Sequence, residues 1–154
     1  EGGHANFAPS NEIEIELLKY LKQKFQHVSV EHVISGTGLG NIYDFLKDTG
    51  YADEPQELRE AMANSAPGPV ITHNAEKYDL CKKTLDMYAN MLGSHCGNYM
   101  LTVMATGGVY LGGGVPPRII SALQNGTLAK AFVEKGKLKG AVEKVGIYIV
   151  KENP

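Results

Sequence analysis

Acidic side chains and an imidazole stand beside glycines at two places early in the chain. Residues 1–4 read Glu-Gly-Gly-His, and a second carboxylate, Glu31, precedes a glycine-rich segment. An ionised carboxylate only accepts hydrogen bonds and can bind two neighbouring hydroxyls, whereas histidine can donate to one hydroxyl and accept from another. Together these groups would suit a ligand with many hydroxyl groups. From spacing alone, a terminal acid, a loop histidine and a surface glutamate are the more ordinary interpretation.

The glycine-rich segment runs from Ser35 to Gly40 and reads Ser-Gly-Thr-Gly-Leu-Gly. Glycine lets a ligand come close to the backbone, so a phosphate-binding loop is one hypothesis. The segment is not a Walker motif, because no Gly-Lys-Ser/Thr sequence follows it. We predict instead a turn that supports Glu31 and leads into a helix beginning near Leu39, with Ile42 on its apolar face.

A second glycine run, Gly112 to Gly114, follows a β-branched and aromatic segment that is typical of a strand. Glycines at the end of a strand allow a phosphate or a flat ring to lie against the backbone. The alternative is an ordinary strand-to-helix turn, and the run taken alone favours that alternative.

Three motifs, in order along the chain, resemble the bacterial glucokinases of the hexokinase superfamily. They are Glu1-Gly2-Gly3-His4 with Phe7-Ala8-Pro9, then His27-Val28-Ser29 with Glu31, Ser35-Gly36 and Gly38-Leu39, and finally Gly107 to Gly114 with Pro117-Arg118. The resemblance runs from the first residue to Pro154 and is looser from about Asp48 to Asn74. Three ordered motifs are a more specific signal than any one of them.

This resemblance implies an α/β fold of the ribonuclease-H-like type shared by sugar kinases and actin, here a helix-rich part of the large domain with few strands. In that family, the residues matching Glu1, His4 and Glu31 bind the hydroxyls of glucose. The glycines matching Gly113 and Gly114 line the adenosine part of the ATP site. The implied reaction is ATP-dependent, Mg²⁺-assisted phosphorylation of glucose to glucose 6-phosphate, by a cytoplasmic enzyme that is a homodimer at full length.

The family places its catalytic aspartate and first phosphate-binding loop before the position of Glu1. We therefore expect residues 1–154 to be the C-terminal large-domain part of such an enzyme, without its small N-terminal domain and with a further helical segment to follow. Phosphoryl transfer needs positioned phosphates, Mg²⁺ and a base. We expect sugar contacts and part of an adenosine site here, but no catalytic residue, no metal ligand and no turnover from this piece alone.

Other functions are compatible with the same residues. The parent protein is alternatively a kinase for another hexose, or a non-catalytic sugar-binding or regulatory domain that has kept the pocket. A third alternative is a dimerisation module built on the longest helix, and the intact sugar-binding set argues against it. The sequence that precedes Glu1 would distinguish these, because an Asp-x-Gly-Gly-Thr phosphate loop and an Asn-Asp pair would support the enzyme.

Composition narrows the class of partner. The chain has 154 residues, the size of one ordinary domain, and 43% of them are hydrophobic, which is enough for a core. A net charge of −2 gives no electrostatic reason to expect nucleic acid or an anionic membrane. Cys81 and Cys96 form no recognisable metal-binding pattern, and if both lie on one helix they are too far apart to bond to each other. We expect a reduced, cytoplasmic chain.

The elements that must position these residues follow from periodicity and end signals. A helix is predicted to begin near Asn11, which with Glu14 fits a capping box. The longest periodic run spans residues 75–104, with small residues at 89, 93 and 97 that would let a neighbour approach closely. Residues 65–69 form the clearest breaker cluster. Strands are predicted at residues 107–111 and 146–150.

Overall fold

The computed structural model describes residues 1–151, so the last three residues of the predicted domain, 152–154, lie outside the described residues. The chain divides into two compact units, Glu1–Tyr88 and Ala89–Pro154. The α-helices are α1 (Glu12–Lys22), α2 (Gly36–Asp48), α3 (Gln56–Asn64), α4 (Pro67–His73), α5 (Asp79–Val103), α6 (Ile120–Leu123), α7 (Thr127–Val133) and α8 (Lys139–Val142). The strands are β1 (Val109–Leu111) and β2 (Ile147–Ile149), and short 3₁₀ turns lie at Gly2–His4, Val30–His32, Pro116–Arg118 and Gly136–Leu138.

Helix α1 begins as the sequence predicts. The Asn11 side chain accepts a hydrogen bond from the Glu14 backbone N–H at 3.0 Å. Glu14 is buried, and its Oε2 accepts from the backbone N–H and the hydroxyl of Ser10 at 2.7 and 2.8 Å. A buried carboxylate is tolerated here because these donors replace water. The cap sets the helix so that Leu17 and Leu21, one turn apart, are completely buried.

The start of helix α2 corrects the prediction of a glycine-rich turn. The helix begins at Gly36 instead of near Leu39, because the Ser35 hydroxyl accepts from the Gly38 backbone N–H at 2.9 Å and caps the first turn. Gly38 is required there by a close approach, since a Cβ at this position would lie 2.6 Å from the carbonyl carbon of Val33. Much of the segment that resembles a flexible loop is therefore the first turn of a helix.

The breaker cluster at residues 65–69 also differs from the prediction, because helix α4 begins inside it at Pro67. Proline is compatible with the first turn of a helix, where its missing N–H would have no intrahelical partner. Val70 and Ile71 on this helix are buried, and Leu58 of α3 is also buried in the first unit. The cluster is thus a helix start within the first unit.

In the second unit, the C-terminal part of the predicted long helix packs closely against α7. A Cβ added to Gly93 would overlap the carbonyl oxygen of Leu128, so only glycine allows this contact. Helix α5 spans 25 residues, Asp79–Val103, within the predicted run. Ala89 is completely buried, which agrees with the predicted face of small residues.

Strands β1 and β2 form a two-stranded parallel sheet in the second unit, with Val109, Tyr110 and Leu111 opposite Ile147, Tyr148 and Ile149. Both strands lie within the predicted segments: β1 begins two residues later than predicted and ends where predicted, and β2 is one residue shorter at each end. The rings of Tyr110 and Tyr148 stack with centroids 5.0 Å apart. The fold is therefore helix-rich with few strands, as predicted.

The two cysteines, Cys81 and Cys96, are free and buried. Burial raises the pKa of each thiol to about 11, so both are protonated near neutral pH. Within residues 1–151, no helix combines the length and the apolar character needed to cross a membrane.

Candidate functional site

The N-terminal candidate residues share one short turn. Residues Gly2–His4 form a 3₁₀ turn in which no residue is buried. The His4 backbone N–H donates to the Glu1 carbonyl at 3.1 Å, and the Ala5 N–H donates to the Gly2 carbonyl at 3.1 Å. Glu1 therefore starts the turn and His4 ends it, and the side chains of both are exposed. We call residues 1–5 the His4 turn.

Glu31 lies on a second 3₁₀ turn, Val30–His32, which we call the Glu31 turn. Val30, the first residue of the turn, and Val33, which follows the turn, are both buried, so apolar packing anchors it. The Ser29 backbone N–H donates to His32 Nδ1 at 3.0 Å, and the His32 ring stacks on Phe25 with centroids 4.0 Å apart. These contacts fix the backbone and leave the Glu31 side chain 56% exposed.

A short antiparallel pairing brings the two turns together. Asn6 and Ser29 form an isolated β-bridge. On either side of it, the Val30 N–H donates to the Ala5 carbonyl at 2.9 Å and the Phe7 N–H donates to the Val28 carbonyl at 3.0 Å. These bonds connect segments more than twenty positions apart in sequence and place the His4 turn beside the Glu31 turn.

The result of this pairing is a close contact between an imidazole and a carboxylate. His4 Nε2 lies 3.6 Å from Glu31 Oε2, and a Cβ at Gly3 would lie 3.9 Å from the Glu31 Cβ. The His4 side chain is 65% exposed, and between groups this exposed even a fully charged pair contributes at most about 1 kcal/mol to stability. Both groups therefore have hydrogen-bonding capacity left for a ligand, which agrees with the chemistry predicted from their types.

Two further side chains support this geometry: Ser35, which belongs to the segment predicted to support Glu31, and His27, to which the sequence analysis gave no such role. The Ser35 hydroxyl donates to the Glu31 carbonyl at 2.7 Å, and His27 Nε2 lies 2.9 Å from the His4 carbonyl oxygen. His27 belongs to the second sequence motif, but a bond from its side chain to a backbone group 23 positions earlier leaves no mark in residue spacing. Predicting this bond would have required knowing that the segments around Asn6 and Ser29 pair, and residue periodicity does not show that pairing.

The predicted nucleotide-binding glycines lie in the second unit, in the loop that follows β1. Gly113 has φ +100°, and a Cβ there would meet no atom within 4 Å. A Cβ at Gly114 would lie 3.7 Å from Arg118 Nη1. The backbone of this loop is open on the side of Gly113, as contact with a flat ligand requires, and the nucleotide contact stays a prediction.

Comparison with known proteins agrees with the motifs. The family model described as Glucokinase matches residues 1–154. The glucokinase of Nostoc punctiforme is 39% identical over 165 aligned positions, which cover 97% of this chain and 48% of the relative. The glucokinase of Hahella chejuensis is 36% identical over 157 positions, covering 99% and 45%. The chain thus spans about half the length of the curated relatives it matches.

Solved structures agree on the fold. A crystal structure of glucokinase from an Antarctic psychrotroph matches with a TM-score of 0.80 at 26% identity, covering 99% of this chain and 46% of that one. Glucokinase from Balamuthia mandrillaris, solved in complex with glucose, matches with a TM-score of 0.82 at 20% identity, covering 100% and 43%. The predicted α/β sugar-kinase fold is confirmed. Sequence motifs, family model and fold agree that the chain belongs to the glucokinase family.

Proposed function

We propose that the whole protein containing this chain phosphorylates glucose with ATP to give glucose 6-phosphate, and that Glu1, His4 and Glu31 bind the sugar. The observation that carries the proposal is the contact between the His4 imidazole and the Glu31 carboxylate, 3.6 Å apart and both largely exposed. Family membership supports the reaction, and the glucose complex of the Balamuthia mandrillaris relative supports the choice of sugar.

The chemistry of these groups fits recognition of a polyhydroxylated ring. Glu31 would accept hydrogen bonds from sugar hydroxyls, and His4 would donate to one hydroxyl or accept from another. Glu1, at the start of the same turn, would add a second carboxylate. A site that binds hydroxyls through charged groups rejects analogues lacking those hydroxyls, because its polar groups are then left unpaired.

The nucleotide would use the second unit. We propose that the backbone at Gly113 and Gly114 contacts the adenosine part of ATP, supported by the open loop after β1. Mg²⁺ would neutralise charge on the transferred phosphate. Among the described residues, no group of three or more His, Cys, Asp or Glu side chains is placed to hold a metal ion. We also propose, from the family resemblance, that the whole protein is a cytoplasmic homodimer.

The test is a coupled assay of ADP release by the whole protein with ATP, Mg²⁺ and a panel of hexoses. Glucose should give the highest kcat/KM. If another hexose were used well while glucose released no ADP, the site would belong to a different hexose kinase. If no hexose were phosphorylated but glucose still bound in calorimetry, the protein would be a sugar-binding or regulatory protein instead of an enzyme.

A further inference from the structure

We propose that His27 is a positioning residue for the sugar site, whose imidazole holds the His4 turn against the Glu31 turn. This inference rests on the proposed function for its effect on sugar binding. Its structural part, the attachment of the turn, concerns the protein without ligand and can be tested separately.

The His4 turn has little else to hold it in place. None of the residues Gly2–His4 is buried, so the turn lacks the apolar anchors that Val30 and Val33 supply to the Glu31 turn. The two hydrogen bonds to the carbonyls of Glu1 and Gly2 lie within the turn, so they do not connect it to another segment. Attachment comes from the neighbouring segment, through the Val30 N–H to the Ala5 carbonyl and through His27 to the His4 carbonyl.

The bond from His27 acts on one of the residues proposed to bind the sugar. It ends on the backbone carbonyl of His4, the residue whose imidazole faces Glu31 at 3.6 Å. The pairing bond at Ala5 fixes the chain one residue further on. Without the His27 bond, rotation of the backbone between His4 and Ala5 would move the His4 imidazole away from Glu31. Groups that bind ligand must be held within about 0.5 Å of the productive geometry, so this rotation would cost sugar affinity.

The direction of the bond is fixed by chemistry. A carbonyl only accepts, so the proton lies on His27 Nε2, at the far end of the ring. A glutamine amide nitrogen reaches about as far from the backbone as Nε2 and also donates. An asparagine amide is one methylene shorter and falls short of the carbonyl. Both replacements keep a polar N–H donor, but only glutamine is long enough to reach the His4 carbonyl. Comparing them therefore tests whether the length of the side chain matters.

The experiment uses the whole protein with His27→Ala, His27→Asn and His27→Gln. The matched control is His73→Ala, because His73 is also exposed and its Nδ1 lies 2.8 Å from a backbone carbonyl, that of Pro69. Calorimetry gives the glucose Kd, initial rates give the KM for ATP, thermal unfolding gives Tm, and amide hydrogen exchange reports on residues 2–5 of the sugar-free protein.

One hydrogen bond sets the expected size of the effect. His27→Ala and His27→Asn should raise the glucose Kd about three- to tenfold, while the KM for ATP stays within about twofold and Tm matches that of the control. His27→Gln should return the glucose Kd to within about twofold of the wild type. Exchange at the amides of His4 and Ala5 should quicken at least threefold in the alanine variant and stay unchanged in the His73→Ala control.

Several outcomes would overturn the inference. One is unchanged exchange at residues 4 and 5 in His27→Ala. A second is an equal loss of glucose and ATP affinity with a lower Tm, which would mark a general structural role. A third is equal behaviour of the asparagine and glutamine variants. If the wild-type protein bound no glucose at all, the proposed function would fail, and hydrogen exchange would still decide whether His27 attaches the turn.

Discussion

Two glutamates of the first unit show how differently one side chain can be used. Glu54 Oε1 accepts from the Tyr43 hydroxyl at 2.7 Å, and its Oε2 accepts from Arg59 Nε at 3.0 Å. Only 9% of the Glu54 side chain is exposed. Glu31, in contrast, is 56% exposed, with the His4 imidazole beside it at 3.6 Å. One carboxylate has committed both oxygens to the fold, whereas the other keeps capacity for a ligand.

The pKa values of Glu54 and Tyr43 are both shifted, although neither residue belongs to the candidate site. Burial acts to raise the pKa of Glu54, but the hydrogen bonds from Tyr43 and Arg59 outweigh it, and the pKa of Glu54 is lowered overall. Burial, and then the bond to Glu54, raise the pKa of Tyr43. Perturbed pKa values often mark functional sites. Here the perturbed pair has a structural explanation, so a perturbed pKa alone does not mark Glu54 as a ligand-binding residue.

Among the changes that test this difference between Glu31 and Glu54, Glu31→Gln in the whole protein should have the largest effect, on glucose kinetics. The change keeps the shape of the side chain and removes its charge, and hydrogen bonds to charged groups contribute about 1.5–3 kcal/mol. We expect kcat/KM for glucose to fall about 10- to 100-fold, with little change in Tm. Steady-state kinetics at saturating ATP measure this, and an unchanged glucose response would remove Glu31 from the site.

The reverse pattern is expected for Glu54→Ala. The Tyr43 side chain is almost completely buried, so removing its acceptor should lower the free energy of unfolding by about 2 kcal/mol. Glucose affinity should stay within about twofold. Urea unfolding measures the first quantity and calorimetry the second.

Glu57→Ala is the matched control for that change. Glu57, like Glu54, accepts from a basic side chain and a tyrosine, here Lys77 and Tyr78, but its side chain is 74% exposed. It should destabilise the protein much less than Glu54→Ala. Equal losses from the two variants would show that burial does not distinguish these carboxylates.

Acid should weaken the Glu54 interaction selectively. A group whose pKa is lowered by folding stabilises the protein above its unfolded pKa, and that stability is lost as the pH falls through the folded pKa. For Glu54 the loss should begin near its ordinary value of 4.5 and continue below it. The difference in unfolding free energy between wild type and Glu54→Ala should therefore shrink below that pH. A constant difference down to acid pH would contradict the pairing.

The smallest effect is expected from Arg59→Ala. The Arg59 side chain is 70% exposed, although its partner Glu54 is nearly buried. Exposed ion pairs contribute about 0.2–1 kcal/mol, so the loss of unfolding free energy should stay below about 1 kcal/mol. A loss as large as that of Glu54→Ala would show that Arg59, and not Tyr43, is the main partner of the carboxylate.

Local signals in the sequence predicted much of this fold. The cap formed by Asn11 with Glu14, the small residues of α5 and the two strands were each predicted from short stretches of sequence, and the structure contains all of them. From the residue types and the family resemblance we also predicted that His4 and Glu31 lie in the same pocket. The structure places their side chains next to each other.

Two kinds of feature were not predicted from the sequence. In one, residues typical of loops begin a helix, and in the other, the contact joins residues far apart in the chain. The segment from Ser35 to Gly40 has the composition of a loop, and a serine cap with a close backbone contact at Gly38 makes it the start of a helix. Pro67 resembles a breaker and begins α4 instead. The bond from His27 to the His4 carbonyl depends on an antiparallel pairing that has no local signature.

The contact between Gly38 and the backbone of Val33 has a genetic consequence. Every amino acid that a single base change can put in place of glycine carries a Cβ, and at position 38 that atom would meet the Val33 main chain at 2.6 Å. Two positions earlier, a Cβ at Gly36 would meet nothing within 4 Å. Selection should therefore remove amino-acid substitutions at codon 38 and tolerate them at codon 36. Because Val33 directly follows the Glu31 turn, a substitution at Gly38 would also disturb the backbone that carries Glu31 in the candidate site.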